Sequence, residues 1–198
     1  MIKRTFDFTV ALLLTIILLP LFIVIAIMIK RDSKGPVFFI QQRVGKNNKD
    51  FGILKFRTMF TDAEQKGSLT VGKDKRITRT GRFLRKFKLD ELPQLFNVMK
   101  GDMSLVGPRP EVKKYVELYN EEQKKVLSVK PGITDTASIQ FADENMLLAG
   151  CDDPEKKYIT EIMPAKLKLN LQYINQQSFL IDLKILLQTF SKVFLKKR

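Results

Sequence analysis

Asp90 and Glu91 stand side by side in the stretch Arg85-Lys86-Phe87-Lys88-Leu89-Asp90-Glu91-Leu92-Pro93 of a 198-residue chain that contains no histidine. The only cysteine is Cys151. Imidazole bases, cysteine-rich zinc sites and an internal disulfide framework are therefore excluded, and the reactive work falls to carboxylates. Four basic clusters surround the pair in sequence: Lys55-Phe56-Arg57, Arg76 to Arg82, Arg85-Lys86, and Arg109 between Pro108 and Pro110. Paired carboxylates among Arg and Lys suit a phosphate-bearing substrate and a hard cation such as Mg²⁺. The flanking prolines restrict the backbone of Arg109, so its planar fork can be held for bidentate contact with a phosphate. Taken alone, Asp90-Glu91 reads as a solvated helix surface, which is far commoner than a catalytic pair. Neighbours on a regular helix point about 100° apart, although a break at Pro93 would relax that separation.

Lys and Arg number 35 against 21 Asp and Glu, a formal charge of +14. An anionic partner follows: nucleic acid, an anionic membrane surface or a phosphorylated metabolite. No nucleic-acid recognition motif accompanies the charge, so no nucleic acid is expected. The length suits one domain with a real core.

The elements that must position these residues begin with an apolar run. Phe8 to Ile29 is 22 positions without a charge, long enough to cross a hydrocarbon core of about 30 Å. Basic residues flank both ends, Lys3 and Arg4 before it and Lys30, Arg31 and Lys34 after it, and such residues prefer the cytoplasmic side. Pro20 divides the run into halves of about 18 Å and 13 Å, neither of which crosses a bilayer. A re-entrant helix-break-helix satisfies the flanks and the proline. A kinked single span is the other reading, because prolines occur in such helices. Ser178 to Arg198 places Phe179, Leu183, Leu186, Leu187, Phe190 and Phe194 at helical spacing among basic residues, which suits either an interfacial amphipathic helix or a core-facing one.

Between these segments, Val37–Val44 and Phe51–Arg57 read as strands of a small β-hairpin joined by Gly45–Asp50. Thr61 to Thr80 reads as loop with a short helix. Gly81 to Lys100 has helical spacing, with a break near Leu92 ahead of Pro93. Val112 to Ser128 reads as a charged, exposed helix, Pro131-Gly132 opens a less regular stretch, and helix resumes at Pro164 to Tyr173. The expected fold is α+β, helix-dominant, with a membrane segment at 1–34 and a membrane-associated catalytic domain at 35–198.

Leu89-Asp90-Glu91-Leu92-Pro93-Gln94-Leu95, Asn97-Val98 and Gly101-Asp102-Met103-Ser104-Leu105-Val106-Gly107-Pro108-Arg109-Pro110-Glu111 together resemble the signature of the monotopic phosphoglycosyl transferases, bacterial sugar transferases that begin glycan assembly. Lys55-Phe56-Arg57-Thr58-Met59, Lys130-Pro131-Gly132-Ile133-Thr134, Lys3-Arg4-Thr5-Phe6-Asp7 and Gly35-Pro36-Val37-Phe38-Phe39 extend the resemblance over nearly the whole chain. It implies transfer of a phospho-sugar from a UDP-sugar to polyprenyl (undecaprenyl) phosphate, with release of UMP. The setting it implies is the cytoplasmic face of the bacterial inner membrane, in contact with its lipid. It implies Mg²⁺ as cofactor, Asp90 as nucleophile through a covalent phospho-sugar intermediate, and Glu91 as metal holder beside Asp90. Arg85 and Arg109 are implied phosphate ligands, then Arg57, with Lys55, Pro108 and Pro110 in the same blocks. The resemblance also favours the re-entrant helix broken at Pro20. Two departures stand out: Leu19-Pro20 where the family often has Ser-Pro, and Asp135-Thr136-Ala137-Ser138-Ile139-Gln140 where many members carry a Gly-Trp-Gln type stretch. The competing expectation is a non-catalytic basic adaptor on anionic lipid, and a homo-oligomer is left open by either.

Overall fold

The computed structural model describes residues 2–61 and 74–192. Most of the loop and short helix expected between Thr61 and Thr80 lies outside the described residues, as do Phe194, Lys196, Lys197 and Arg198 of the basic tail. The architecture is α+β and helix-dominant, as the patterning predicts.

Ile2–Asp32 forms one helix, α1, and no other helix among the described residues is long and apolar enough to cross a membrane. Pro20 lies inside it, with helix on both sides, so the two separate half-helices expected from that proline are not formed. Packing explains the continuity. Asp7, Ala11, Thr15, Phe22, Ile25 and Ile29 are the buried residues of α1, and their spacing makes one stripe that runs past Pro20. That stripe seats both halves on the rest of the protein. The opposite face exposes Leu13, Ile16, Ile17, Leu19, Ile23 and Val24.

Both ends of α1 are tied to the same body. Near its start, Lys3 Nζ donates to Asp182 Oδ2 at 2.5 Å and to the Val106 carbonyl at 3.2 Å. Arg4 donates to the carbonyls of Val98 (2.5 Å) and Met99 (2.8 Å). At its far end, Asp32 Oδ2 accepts from Thr80 N–H at 2.7 Å.

Strands β1 (Phe38–Val44) and β2 (Asp50–Phe56) pair antiparallel, with Phe38 opposite Phe56 and Val44 opposite Asp50. Asn47 and Asn48 in the turn take positive φ, which asparagine tolerates better than most residues. Helix α2 (Arg79–Lys86) follows, N-capped by Thr78, whose Oγ1 accepts from Gly81 N–H at 2.9 Å. A 3₁₀ turn at Leu89–Glu91 leads into α3 (Gln94–Lys100). The interruption expected near Leu92 therefore comes earlier, at Lys88, which adopts the left-handed conformation (φ 57°). Pro93 opens α3, where its missing N–H costs nothing.

A second pairing, β3 (Ser104–Val106) alongside β4 (Gly132–Thr134), is parallel. It gives order to the stretch after Pro131 that reads as irregular in sequence. Between them, the single helix expected over Val112 to Ser128 is replaced by α4 (Lys113–Val116) and a 3₁₀ turn at Gln123–Ser128. Asn120 and Gln123 exchange side-chain-to-backbone hydrogen bonds at 2.9 and 3.0 Å, an alternative to continuing the helix. The chain continues through α5 (Thr136–Gln140), α6 (Glu144–Ala149) and α7 (Pro154–Lys157). A π-helical segment, Tyr158–Ile162, joins α7 to α8 (Met163–Gln176), and α9 (Phe179–Phe190) completes the described fold. Phe22, Ile25 and Ile29 of α1 form one core cluster with Phe56 and Leu84. Ala11 joins a second with Val98, Met103, Leu105 and Ile185. Burying each larger side chain contributes about 1.5–3 kcal/mol.

Candidate active site

Position of the acidic pair is set by how α3 docks. Asn97, buried on α3, receives a hydrogen bond from Leu54 N–H at 2.9 Å through Oδ1. Its Nδ2 donates to the Gly52 carbonyl at 2.8 Å. The side chain thus serves as a short strand partner for β2, and it registers the turn before α3 against Lys55. On a 3₁₀ turn successive side chains diverge by about 120°, so Asp90 and Glu91 take separate directions.

Glu91 turns to Arg109. The Arg109 Nη1 donates to Glu91 Oε2 at 3.0 Å, and Nη2 pairs with Oε1 in the bidentate fork. Burial alone would push the Glu91 carboxyl up. The facing guanidinium outweighs it and holds the group well below the carboxylate range. Glu91 in return raises the already high pKa of Arg109. Asp90 is buried, and its Oδ1 has no hydrogen-bond partner among the described residues. Burial, then the neighbouring Glu91 charge, raise its pKa against the pull of Lys55, Arg85 and Lys88. Lys55 is brought down to about 8, chiefly by burial, with Glu91 opposing. Arg85 sits on the last turn of α2, and its Nε donates to Thr58 Oγ1 at 2.9 Å.

Arg109 is held through its backbone as well. Its N–H donates to Asp135 Oδ2 at 2.8 Å, and Asp135 is fully buried while its other oxygen caps α5 at Ser138 N–H. The approach requires glycine on both sides, Gly132 of β4 and Gly107 just past β3. A Cβ on Gly132 would lie 2.1 Å from Gly107 N, and one on Gly107 would lie 2.5 Å from the Lys130 carbonyl. Pro108 contributes to the same seam, its carbonyl accepting from Gly132 N–H at 3.0 Å.

These groups open into a cleft of about 620 Å³, within the range of small-ligand sites. Lys55, Arg85, Asp90, Glu91, Arg109 and Pro110 line one region of it. A second polar group lines the rest. Glu111 accepts from Arg43 Nη1 at 2.9 Å and from Tyr158 Oη–H at 2.5 Å, and Lys166 pairs with Glu144 at 2.7 Å.

The structure therefore brings Lys55, Arg85, Asp90, Glu91, Arg109 and Pro110 together. It does not bring Arg57 with them. Arg57 is 5% exposed and donates four hydrogen bonds to the chain leaving α1, through Ser33 Oγ and the carbonyls of Ser33, Lys34 and Pro36. Its fork ties down a helix exit, and Arg57 is not among the residues that line the cleft. Pro20 lies on α1, outside the residues lining the cleft. Tyr158 and Lys166 were not singled out from sequence; Glu111 lay within a signature block and Asp135 and Ser138 within the departing stretch, and neither they nor Arg43 was assigned a role at the site. Asp135 had a usable signal, an Asp three residues before Ser138 at a helix start. Tyr158 and Lys166 had none, because tertiary packing alone brings the π-helical segment and α8 to the cleft. No group of three or more metal-ligating side chains occurs among the described residues.

A model of the family described as bacterial sugar transferase matches residues 1–196. An uncharacterized sugar transferase, EpsL of Bacillus subtilis, is 42% identical over 196 residues, covering 99% of this chain and 89% of that protein. An undecaprenyl-phosphate glucose phosphotransferase of Komagataeibacter xylinus is 39% identical over 96% of this chain. The UDP-N-acetylgalactosamine-undecaprenyl-phosphate N-acetylgalactosaminephosphotransferase of Aeromonas hydrophila is also 39% identical, over 97% of this chain. This chain spans 35% and 43% of the lengths of those last two relatives.

Proposed function

We propose that this chain, which belongs to the bacterial sugar transferase family, transfers a phospho-sugar from a UDP-sugar to polyprenyl phosphate through a covalent aspartyl intermediate. The observation that carries the reading is Asp90, a buried carboxylate with an unpartnered oxygen in a cleft whose cations suit a diphosphate. Lys55, Arg85 and Arg109 neutralise the diphosphate, and only then can an anionic oxygen approach phosphorus. An Asp90 oxygen forms a bond to the β-phosphorus as the bond to the UMP oxygen breaks, and UMP leaves with that electron pair. An oxygen of polyprenyl phosphate then attacks the same phosphorus, displacing the Asp90 carboxylate and giving the polyprenyl diphosphate sugar. No histidine is required, since a carboxylate attacks as its own anion, the form that Lys55, Arg85 and Lys88 favour.

The residues present fit Mg²⁺. A hard cation of this kind takes one or two carboxylates together with substrate phosphates and waters. Asp90 and Glu91 would supply the protein's share. When bound, it adds positive charge at the diphosphate.

Membrane placement is part of the proposal. The exposed apolar face of α1 and the exposed Phe179, Leu180, Leu183, Leu187 and Phe190 of α9 support docking into one leaflet at the cytoplasmic face of the inner membrane. There a soluble nucleotide-sugar and a lipid phosphate both reach the cleft. Detergent-solubilised protein given a UDP-sugar, undecaprenyl phosphate and Mg²⁺ is expected to release UMP. Asp90→Asn should abolish release without lowering the thermal midpoint. Full activity in that variant would sink the mechanism, and a protein that only binds anionic vesicles would be the adaptor.

A further inference from the structure

We propose that Ser138 reads the sugar, its hydroxyl forming a hydrogen bond to a polar substituent of the sugar ring; this rests on the UDP-sugar reading above. Five buried side-chain polar atoms lack a hydrogen-bond partner among the described residues, on Asp90, Gln94, Asp102, Ser138 and Asn170. Only Asp90 and Ser138 belong to residues lining the cleft. Native proteins rarely leave a buried hydroxyl unpaired, and one on a residue that lines a binding cleft is accounted for by a ligand that completes it. Asp90 has its task in the chemistry, while Ser138 is without one.

The location selects the sugar over the phosphates. Asp135 receives the Arg109 N–H through one oxygen and the Ser138 N–H through the other. Ser138 is thereby registered, through one carboxylate, against the strip whose guanidinium holds Glu91. The sugar on the attacked phosphorus is the part of the donor that stays with Asp90 after UMP departs, and Ser138 lines the same cleft as Asp90. Beside Ser138, Phe141 and Ala142 line the cleft and offer an apolar surface to the C–H face of a sugar ring. Glu144, on the same wall, is paired with Lys166, whereas Lys55, Arg85 and Arg109 line the cleft with Asp90 and suit the phosphates.

The test measures kcat/KM for UMP release across a panel of UDP-hexoses and UDP-N-acetylhexosamines with the unsubstituted protein, Ser138→Ala and Ser138→Thr. UMP inhibition constants and thermal midpoints are measured alongside. Ser138→Ala is expected to lower kcat/KM for the preferred sugar by about tenfold to a hundredfold. The least-accepted sugar should change by less than about threefold, so that the selectivity ratio collapses. Ser138→Thr, which keeps the hydroxyl, should restore part of that ratio, and the UMP inhibition constant should not move. A loss equal for every sugar, a weakened UMP constant, or no change for any sugar would each overturn the assignment. Failure of the unsubstituted protein to release UMP from any donor would instead remove the reading on which it rests, and the assignment with it.

Discussion

Lys55 shows how one half-buried cation can set the working pH of the cleft. Burial depresses it to about 8 from an ordinary 10.5, and its charged form is the one that grips a phosphate. The sign follows directly. Below about 8 the ammonium is present and binding is intact, and as pH rises through 8 the charge is lost. For the free enzyme this appears in kcat/KM as a falling alkaline limb near pH 8. Lys55→Arg should move that limb upward by more than one pH unit, because a guanidinium stays charged throughout the range. An unchanged limb in that variant would assign the titration to another group. Stability runs the opposite way: the depressed pKa costs stability while Lys55 is charged, and that cost is relieved as pH climbs from 8 toward 10.5. Arg109 makes a different demand, because its two parallel bonds to Glu91 need a planar fork. Arg109→Lys supplies only a point charge, and kcat/KM should fall about tenfold to a hundredfold even though the formal charge is kept.

Elements transmit these positions, and Asn97 and Arg57 are where they do so. Asn97→Ala strands the Leu54 N–H and the Gly52 carbonyl against α3. Two unsatisfied backbone groups should cost about 2–4 kcal/mol, read as a lower thermal midpoint together with reduced UMP release. Arg57→Lys should lower the midpoint while KM for the UDP-sugar stays within about twofold, since its hydrogen bonds end on the exit of α1. A large KM change would return Arg57 to the cleft. This pair also marks what a linear reading can and cannot recover. The hairpin was legible because two runs rich in β-branched and aromatic residues flank a turn containing Gly and Asn, and the acidic pair because ordered motif blocks surround it. An arginine in a basic block has the same letters whether its fork meets phosphate or helix-exit carbonyls, so the role of Arg57 was not legible. Neither was the break at Lys88, because a lysine carries no signal for positive φ. Strands β3 and β4 are three residues each, paired across 28 positions, too short to show a period.

At the scale of the whole molecule, α1 and the catalytic body are joined at two ends. A helix that crosses a bilayer puts its ends on opposite sides, about 30 Å apart across hydrocarbon. Here Lys3 and Arg4 bond to the residues around β3, α3 and α9, while Asp32 and Ser33 bond to α2 and Arg57. One folded body holding both ends cannot lie on both sides of a membrane, so Ile2 and Lys34 should face the same compartment. Single cysteines at Ile2, which is 80% exposed, and at exposed Lys34 test this in a Cys151→Ser background. Both should react with a membrane-impermeant maleimide only after the cytoplasmic side is opened. Labelling of one from each side would mean that α1 spans, and that its packing along the catalytic body is not the membrane-bound arrangement. Labelling of both from the outside would place the cleft away from cytoplasmic UDP-sugar and would defeat the proposed reaction at its substrate.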